Sequence, residues 1–349
     1  MRRILASTIA AAVLVAVTAQ FAGPSLAHAC AGLIGSNGAV NLGRTTTLAA
    51  YTDGVEHYVT AFQFQGGGGE FGTLIPLPGV PSKVERGGAW TLQRLQQETQ
   101  PPRGEFATAL RVGNLAADAE VLLTVRIDAL VITVLRGGGP SVAKWATDHG
   151  FSLSPDAPEM LDFYAERSPI FLAAVFDGEA AAERGQVIGD GTPVHITIPT
   201  DNPWVPLRIL ALGKQPDDRV EADVFLLTAE QPALLPAREP GLTLQHSQPA
   251  TQSLLDDLRS DDGMGWVPQS AWLTKLAVDS SAGDLTYDLA IDVSGLNNPS
   301  PVAAGLVPVP VPGEGFPETA TLAAGAALLL VLLAGVMARR RVSVASRVN

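Results

Sequence analysis

TTTLAAYTDGVEHYVTAFQFQ, Thr45 to Gln65, holds two apolar-rich runs joined by Asp53-Gly54. An Asp-Gly pair between such runs signals a type I′ hairpin turn, since both central residues must take positive φ and the turn then matches the twist of the strands. Thr45 to Thr52 and Val55 to Gln65 are therefore predicted to pair antiparallel. On the second strand Tyr58, Thr60, Phe62 and Phe64 share one face, and His57, Val59, Ala61 and Gln63 share the other. His57 falls on the less apolar face and reads as a solvated residue.

Working outward, Asn37-Gly38 marks an earlier turn. Gly66 to Gly69 read as a strand connection, because a phosphate cradle needs Gly-Lys-Ser/Thr opening a helix and Glu70 would repel phosphate. Trp90 to Thr99 is predicted helical up to Pro101-Pro102. Val121 to Leu135 carries the strongest strand pattern, either one strand passing from a half-exposed to a central position or two strands broken near Asp128. Two helices follow. One opens at Pro140 with Val142, Trp145, Ala146 and His149 on one stripe; the other opens at Ser154-Pro155 with Ala157, Leu161, Tyr164 and Ala165 buried. Trp145 and Tyr164 are read as core.

Strands are expected again at Ile170–Phe176, Val194–Ile198, Val205–Leu212 and Val220–Leu227, with His195 pointing outward. A helix is expected at Thr251–Leu258. Asp284 to Val293 alternates strictly and is predicted to pair with Trp272–Val278 across Asp279 to Gly283. The resulting class is α+β, mostly antiparallel strands with a few short helices, in residues 30–293, as one unit or two packed halves. Ser294 to Thr319 reads as a stalk, since Val307 to Pro312 alternates proline with valine and favours polyproline II.

The ends suggest export and anchoring. Arg2 and Arg3, an apolar run from Ile4 to Val17, and Ala27-His28-Ala29 make residues 1–29 a signal peptide cleaved between Ala29 and Cys30. Ala320 to Ala338 is uncharged and long enough for about 28 Å of helix, with Arg339, Arg340 and Arg341 behind it. The expectation is one C-terminal transmembrane helix at 320–338, the N-terminus outside, and residues 339–349 as a cytoplasmic basic tail. Phe316-Pro317-Glu318-Thr319-Ala320 is similar to the Leu-Pro-x-Thr-Gly sorting motif, departing from it at Phe316 and Ala320. Cell-wall attachment after sortase processing is therefore the alternative placement.

Six of the 23 Lys and Arg lie in the two terminal segments, which leaves 17 against all 35 Asp and Glu between them. So acidic a region has no footprint for nucleic acid. Cys30 is the only cysteine, which excludes an intramolecular disulfide. It is left as a free terminal thiol, an intermolecular partner or an acylated residue. Asp256, Asp257, Asp261 and Asp262 lack EF-hand spacing and read as a solvated loop, not a calcium site. With no GxSxG and no HExxH, no catalytic, metal-binding or cofactor-binding residue is assigned.

CAGLIGSNGAVNLGRTTTLAAYTDGVEHYVTAFQFQG and GTLIPLPGVPSKVERGGAWTLQRL resemble the exported bacterial family catalogued as domain of unknown function 2330. ALVITVLRGGGPSVAKWATDHGF, LDFYAERSPIFLAAVF and WVPLRILALG are similar to its later segments. Members typically show Cys-Gly-Gly near the mature N-terminus, where this chain has Cys30-Ala31-Gly32. The resemblance implies no activity and carries over no functional residue. Together these readings lead to the expectation of a membrane-anchored, extracytoplasmic envelope protein that binds or scaffolds an unknown protein or wall ligand. A surface hydrolase acting through carboxylates is the alternative.

Overall fold

A computed structural model describes residues 32–35, 45–63, 71–99, 121–186, 191–294 and 296–309. The chain divides into two units, Met1–Val307 and Pro308–Asn349, and every element below belongs to the first. Fifteen strands are described: β1 (Gly32–Gly35), β2 (Thr45–Thr52), β3 (Val55–Gln63), β4 (Phe71–Pro76), β5 (Lys83–Arg86), β6 (Val121–Ile127), β7 (Leu130–Arg136), β8 (Ile170–Phe176), β9 (Gly191–Pro199), β10 (Trp204–Val205), β11 (Arg219–Thr228), β12 (Ala233–Leu235), β13 (Leu242–Pro249), β14 (Trp272–Ser281) and β15 (Leu289–Asp292). The helices are α1 (Thr91–Thr99), α2 (Gly139–Asp148), α3 (Ala157–Ala165), α4 (Gly178–Glu183) and α5 (Gln252–Ser260), with a 3-10 turn at Arg208–Ala211.

These strands make a seven-stranded sheet ordered β13-β14-β11-β2-β3-β9-β5, a five-stranded sheet ordered β1-β4-β8-β7-β6 and a three-stranded sheet ordered β10-β15-β12. All pairs are antiparallel except β11 with β2. The mostly antiparallel α+β class expected from the pattern is thus the one observed. The hairpin turn has Asp53 at φ 53° and Gly54 at φ 79°, as a type I′ turn requires. Asp128, at φ 56°, makes the reversal between β6 and β7.

The large sheet is buried on both faces. Tyr58, Phe62, Ile196, Val224 and Leu276 join the larger core, which also takes Leu74, Ile132 and Leu172 of the five-stranded sheet and Trp145 and Tyr164 of α2 and α3. On the opposite face Leu48, Val59, Phe225 and Leu273 pack against Leu92 and Leu95 of α1 and Leu254, Leu255 and Leu258 of α5. That cover explains why β11 is buried along nearly its whole length. It also corrects the reading of His57 and His195 as solvent-facing: His195 is 2% exposed and His57 is half-buried.

Asp261 binds the two covering helices together. Its carboxylate accepts from the amides of Ala89, Trp90 and Thr91 at 2.8–3.1 Å and from Thr91 Oγ1 at 2.8 Å, so it caps α1 from beyond the end of α5. Thr251 caps α5 itself, accepting from Leu254 N.

Several expectations need correction. Val205–Leu212 is not one strand: β10 is two residues long and the 3-10 turn follows. β14 pairs with β11 and β13, and β15 pairs with β10 and β12, so the expected pair between Trp272–Val278 and Asp284–Val293 does not form. Packing runs past Val293, for Ala303 and Ala304 are buried in the larger core.

The expected transmembrane helix is also corrected. Among the described residues no helix is long and apolar enough to cross a membrane. The longest, α2, has ten residues and spans about 15 Å, half a bilayer's hydrocarbon thickness. With it go the single-pass membrane placement, the membrane as a partner, the membrane-anchored envelope role and the cell-wall alternative. Ala320–Ala338, the FPETA stretch and the cleavage residues Ala27, Ala29 and Cys30 lie outside the described residues, as does Gly66–Gly69.

Candidate functional site

A cleft of about 270 Å³ opens between the end of the hairpin and the chain that follows β15. One wall is Tyr51 at the end of β2 with Asp201, Asn202 and Pro203 after β9; the other runs from Ala290 to Ser294 and from Asn298 to Ser300. Short polar contacts hold the walls. Tyr51 donates its hydroxyl to Thr200 O at 2.8 Å, and Ile291 N donates to Pro203 O at 3.1 Å, joining one side to the other. Asn202 N donates to Thr200 Oγ1 at 3.2 Å, a turn of the kind expected ahead of Pro203.

Two carboxyl groups, Asp201 and Asp292, face the cleft, and its lining has no Lys, Arg or His. Asp292 Oδ1 accepts from Ser294 N and Ser294 Oγ at 2.7 and 2.5 Å, and Oδ2 from Asn298 N at 2.8 Å. The Ser294 hydroxyl and the Asn298 amide hold its carboxyl below the usual carboxylate range, so it stays ionised. Tyr51 is pushed the other way, first by burial and then by the charges of Asp201 and Glu56. A phenol next to carboxylates resists ionising because the site already holds negative charge.

Glu56 is the register partner of Tyr51 across the hairpin. It is fully buried, and neither carboxyl oxygen has a hydrogen bond of ordinary geometry, the Trp204 backbone giving only a weaker pull. Burial pushes it up to about 8, against the pull of the Trp204 backbone. It is therefore a neutral acid at pH 7, and it does not line the cleft. Asp288, equally buried, has a full set of donors. Oδ1 accepts from Tyr164 Oη at 2.9 Å, Leu207 N at 2.7 Å and Arg208 N at 3.0 Å; Oδ2 accepts from Arg167 Nη2 at 2.7 Å. Arg167 also donates to Ala303 O and lies over the Phe163, Tyr164 and Trp204 rings. This network ties α3, the 3-10 turn and the chain after β15 to one another.

A second cluster lies on the opposite face of the large sheet. His57 Nδ1 and His195 Nε2 are 2.9 Å apart, and Trp266 stacks on His57 at 4.1 Å with the rings 5° from parallel. His195 Nδ1 is 3.4 Å from Glu85 Oε1. Burial pushes both imidazoles down to about 4, so at pH 7 they are neutral and share a single proton between facing nitrogens. Thr197 Oγ1 stands 3.5 Å from His195 Nε2, outside the reach a base needs to activate a hydroxyl. What the stack does is cover one end of the smaller core.

The acidic run near 256–262 is not a loop of free charges. Asp256 pairs with Arg259, Asp257 with Arg94 at 2.8 Å, and Asp261 with the α1 amides. Among the described residues no three His, Cys, Asp or Glu are placed to hold a metal. The cleft residues Tyr51, Asp201 and Asp292 were not singled out by sequence. Polar turn clusters at Asp201-Asn202-Pro203 and Asn297-Asn298-Pro299 were the available signal, but nothing in the pattern brings them together.

No curated protein matches the chain. Among solved structures, baculovirus P35 is 9% identical and similar over 72% of this chain and 96% of its own, at a TM-score of 0.39. A mutated baculovirus P35 after caspase cleavage is also 9% identical, over 73% of this chain and 98% of its own, at 0.37. P35 in its complex with caspase-8 gives 8%, 72%, 96% and 0.37. Likeness at this level carries no argument. The family model described as an uncharacterized protein conserved in bacteria matches residues 24–233, a span that holds Tyr51, Glu56 and Asp201. With more than half of its length matched, the chain belongs to that family, DUF2330.

Proposed function

We propose that this protein binds a small, positively charged ligand in the cleft between Tyr51, Asp201 and Asp292. The observation that carries this is a lining with two carboxylates and no basic side chain. A cation entering there meets fixed negative charge, and Asp292 is kept ionised by its own hydrogen bonds. The volume, at the lower end for small-molecule sites, suits a short amine. Binding fits better than hydrolysis. A carboxylate hydrolase needs one acid with a raised pKa beside one ionised carboxylate, both on the substrate. Here the raised acid is Glu56, which is sealed from the cleft, and Asp292 is committed to Ser294 and Asn298.

Thermal unfolding with three additives tests this reading. Spermidine should raise the melting temperature in a saturable way, worth about 2.7 kcal/mol at a hundred times its dissociation constant. Glucose and acetate, neutral and anionic, should leave it unchanged. Equal shifts for all three, or none for spermidine, would overturn the proposal.

A further inference from the structure

Lys275 on β14 and Asp223 on β11 meet inside the large sheet. Nζ lies 3.3 Å from Asp223 Oδ1, and the side chains are 6% and 5% exposed. The strands are neighbours with Asp223 opposite Ala277 and Phe225 opposite Lys275, so the two side chains reach each other diagonally on one face. The Phe225 ring lies 5.5 Å below Nζ. On the other side His246 of β13 is the register partner of Lys275. An ammonium and a carboxylate held this dry face each other with little water between them. An amino group in contact with a carboxyl group is the pair from which an amide is made.

We propose that Lys275 and Asp223 condense to a side-chain amide that cross-links β14 to β11. A proton passes from the ammonium to the carboxylate directly across the 3.3 Å contact. The free Nζ lone pair attacks Cγ, forming the N–C bond. The C–O bond then breaks, and the departing oxygen takes two of the three ammonium hydrogens and leaves as water. One hydrogen stays on the amide nitrogen, so no oxidant, reductant or activated co-reactant is required. The chain has a single cysteine and no intramolecular disulfide. This bond would staple together strands that are separated by the whole β12–α5 region.

Mass spectrometry of the denatured full chain decides it. The unsubstituted chain should be lighter by one water than the Lys275→Arg chain after allowing for the substitution itself, which cancels any processing at the ends. Digestion should release a branched peptide joining the segment around Asp223 to the segment around Lys275. Lys275→Arg keeps the positive charge but cannot form this amide in the same position, so it should lower the melting temperature although an ion pair persists. A mass without the loss of water, or the absence of the branched peptide, overturns the proposal, and either reading needs only the unsubstituted protein to be folded.

Discussion

Asp288 and Glu56 are both fully buried carboxyl groups against the segment that begins at Trp204, and the protein treats them in opposite ways. Asp288 has two backbone amides, a phenol and a guanidinium pointed at it. Glu56 has no hydrogen bond of ordinary geometry to either oxygen, only the weaker pull of the Trp204 backbone. A buried charge is tolerable when donors replace the water it lost, and otherwise the group keeps its proton. The first region is therefore a structural fastener. The second is a neutral acid set behind a cleft whose own carboxylates, Asp201 and Asp292, remain in reach of solvent.

The largest expected effect comes from breaking the satisfied side. Asp288→Ala leaves Arg167 buried without its carboxylate and should cost about 3–5 kcal/mol in urea unfolding. A loss below about 1 kcal/mol would mean that the network is redundant. Ending the chain at Val293 attacks the same region, because it removes the Ala303 carbonyl that Arg167 holds and the Ala304 carbonyl that accepts from Asp288 N.

Glu56 gives the next effect, through pH. Its folded pKa of about 8 exceeds its ordinary value of 4.5, so the folded state binds the proton more tightly than the unfolded state. This group's contribution is then most favourable below 4.5 and falls as pH rises towards 8, by about 1.4 kcal/mol per pH unit within that window. Glu56→Gln should remove that slope and make the protein more stable than the parent at pH 8 and above. An unchanged slope between pH 5 and about 8 shows that Glu56 is already ionised in the fold.

Gly88→Ala comes third. An added Cβ would sit 2.3 Å from Asp261 Oδ2 and from Thr91 Oγ1, crowding the other well-satisfied carboxylate. A cost of about 1–3 kcal/mol is expected from chemical denaturation. A neutral result would show that the Asp261 cap can shift without loss.

How far the sequence told this in advance differs between the two regions. The hairpin, α1 and the helices bearing Trp145 and Tyr164 were legible because their periodicity and turn residues act within a few positions, whereas the break at Asp128 was one of two readings the pattern allowed. Tyr164 and Arg167 form their contacts with Trp204, Asp288 and Ala303 across more than a hundred residues in places, and no local signal encodes such a meeting. The strict alternation of Asp284 to Val293 found β15, but only Leu289–Asp292 is strand, and Asp288 and Ala290, expected on the outer face, are as buried as Leu285, Tyr287, Leu289 and Ile291. It could not choose the partner strand. His195 was misread for a related reason: alternation gives the opposite face from Ile196, but only the packing of α1, α5 and Trp266 shows that this face is covered too.

Asp201→Asn should have the smallest effect on stability, within about 0.5 kcal/mol, because the side chain is exposed. Its effect on binding should be the largest, and that contrast tests the central claim most directly. Calorimetric titration of the full chain with spermidine would compare the parent with Asp201→Asn and with Asp217→Asn, which removes an equal charge at an exposed position outside the cleft. The expected result is unchanged affinity for Asp217→Asn and a loss of about tenfold to a hundredfold for Asp201→Asn, the worth of one charge-assisted contact. Equal affinity for all three chains would contradict a cation site at the cleft and leave only diffuse attraction to an acidic surface.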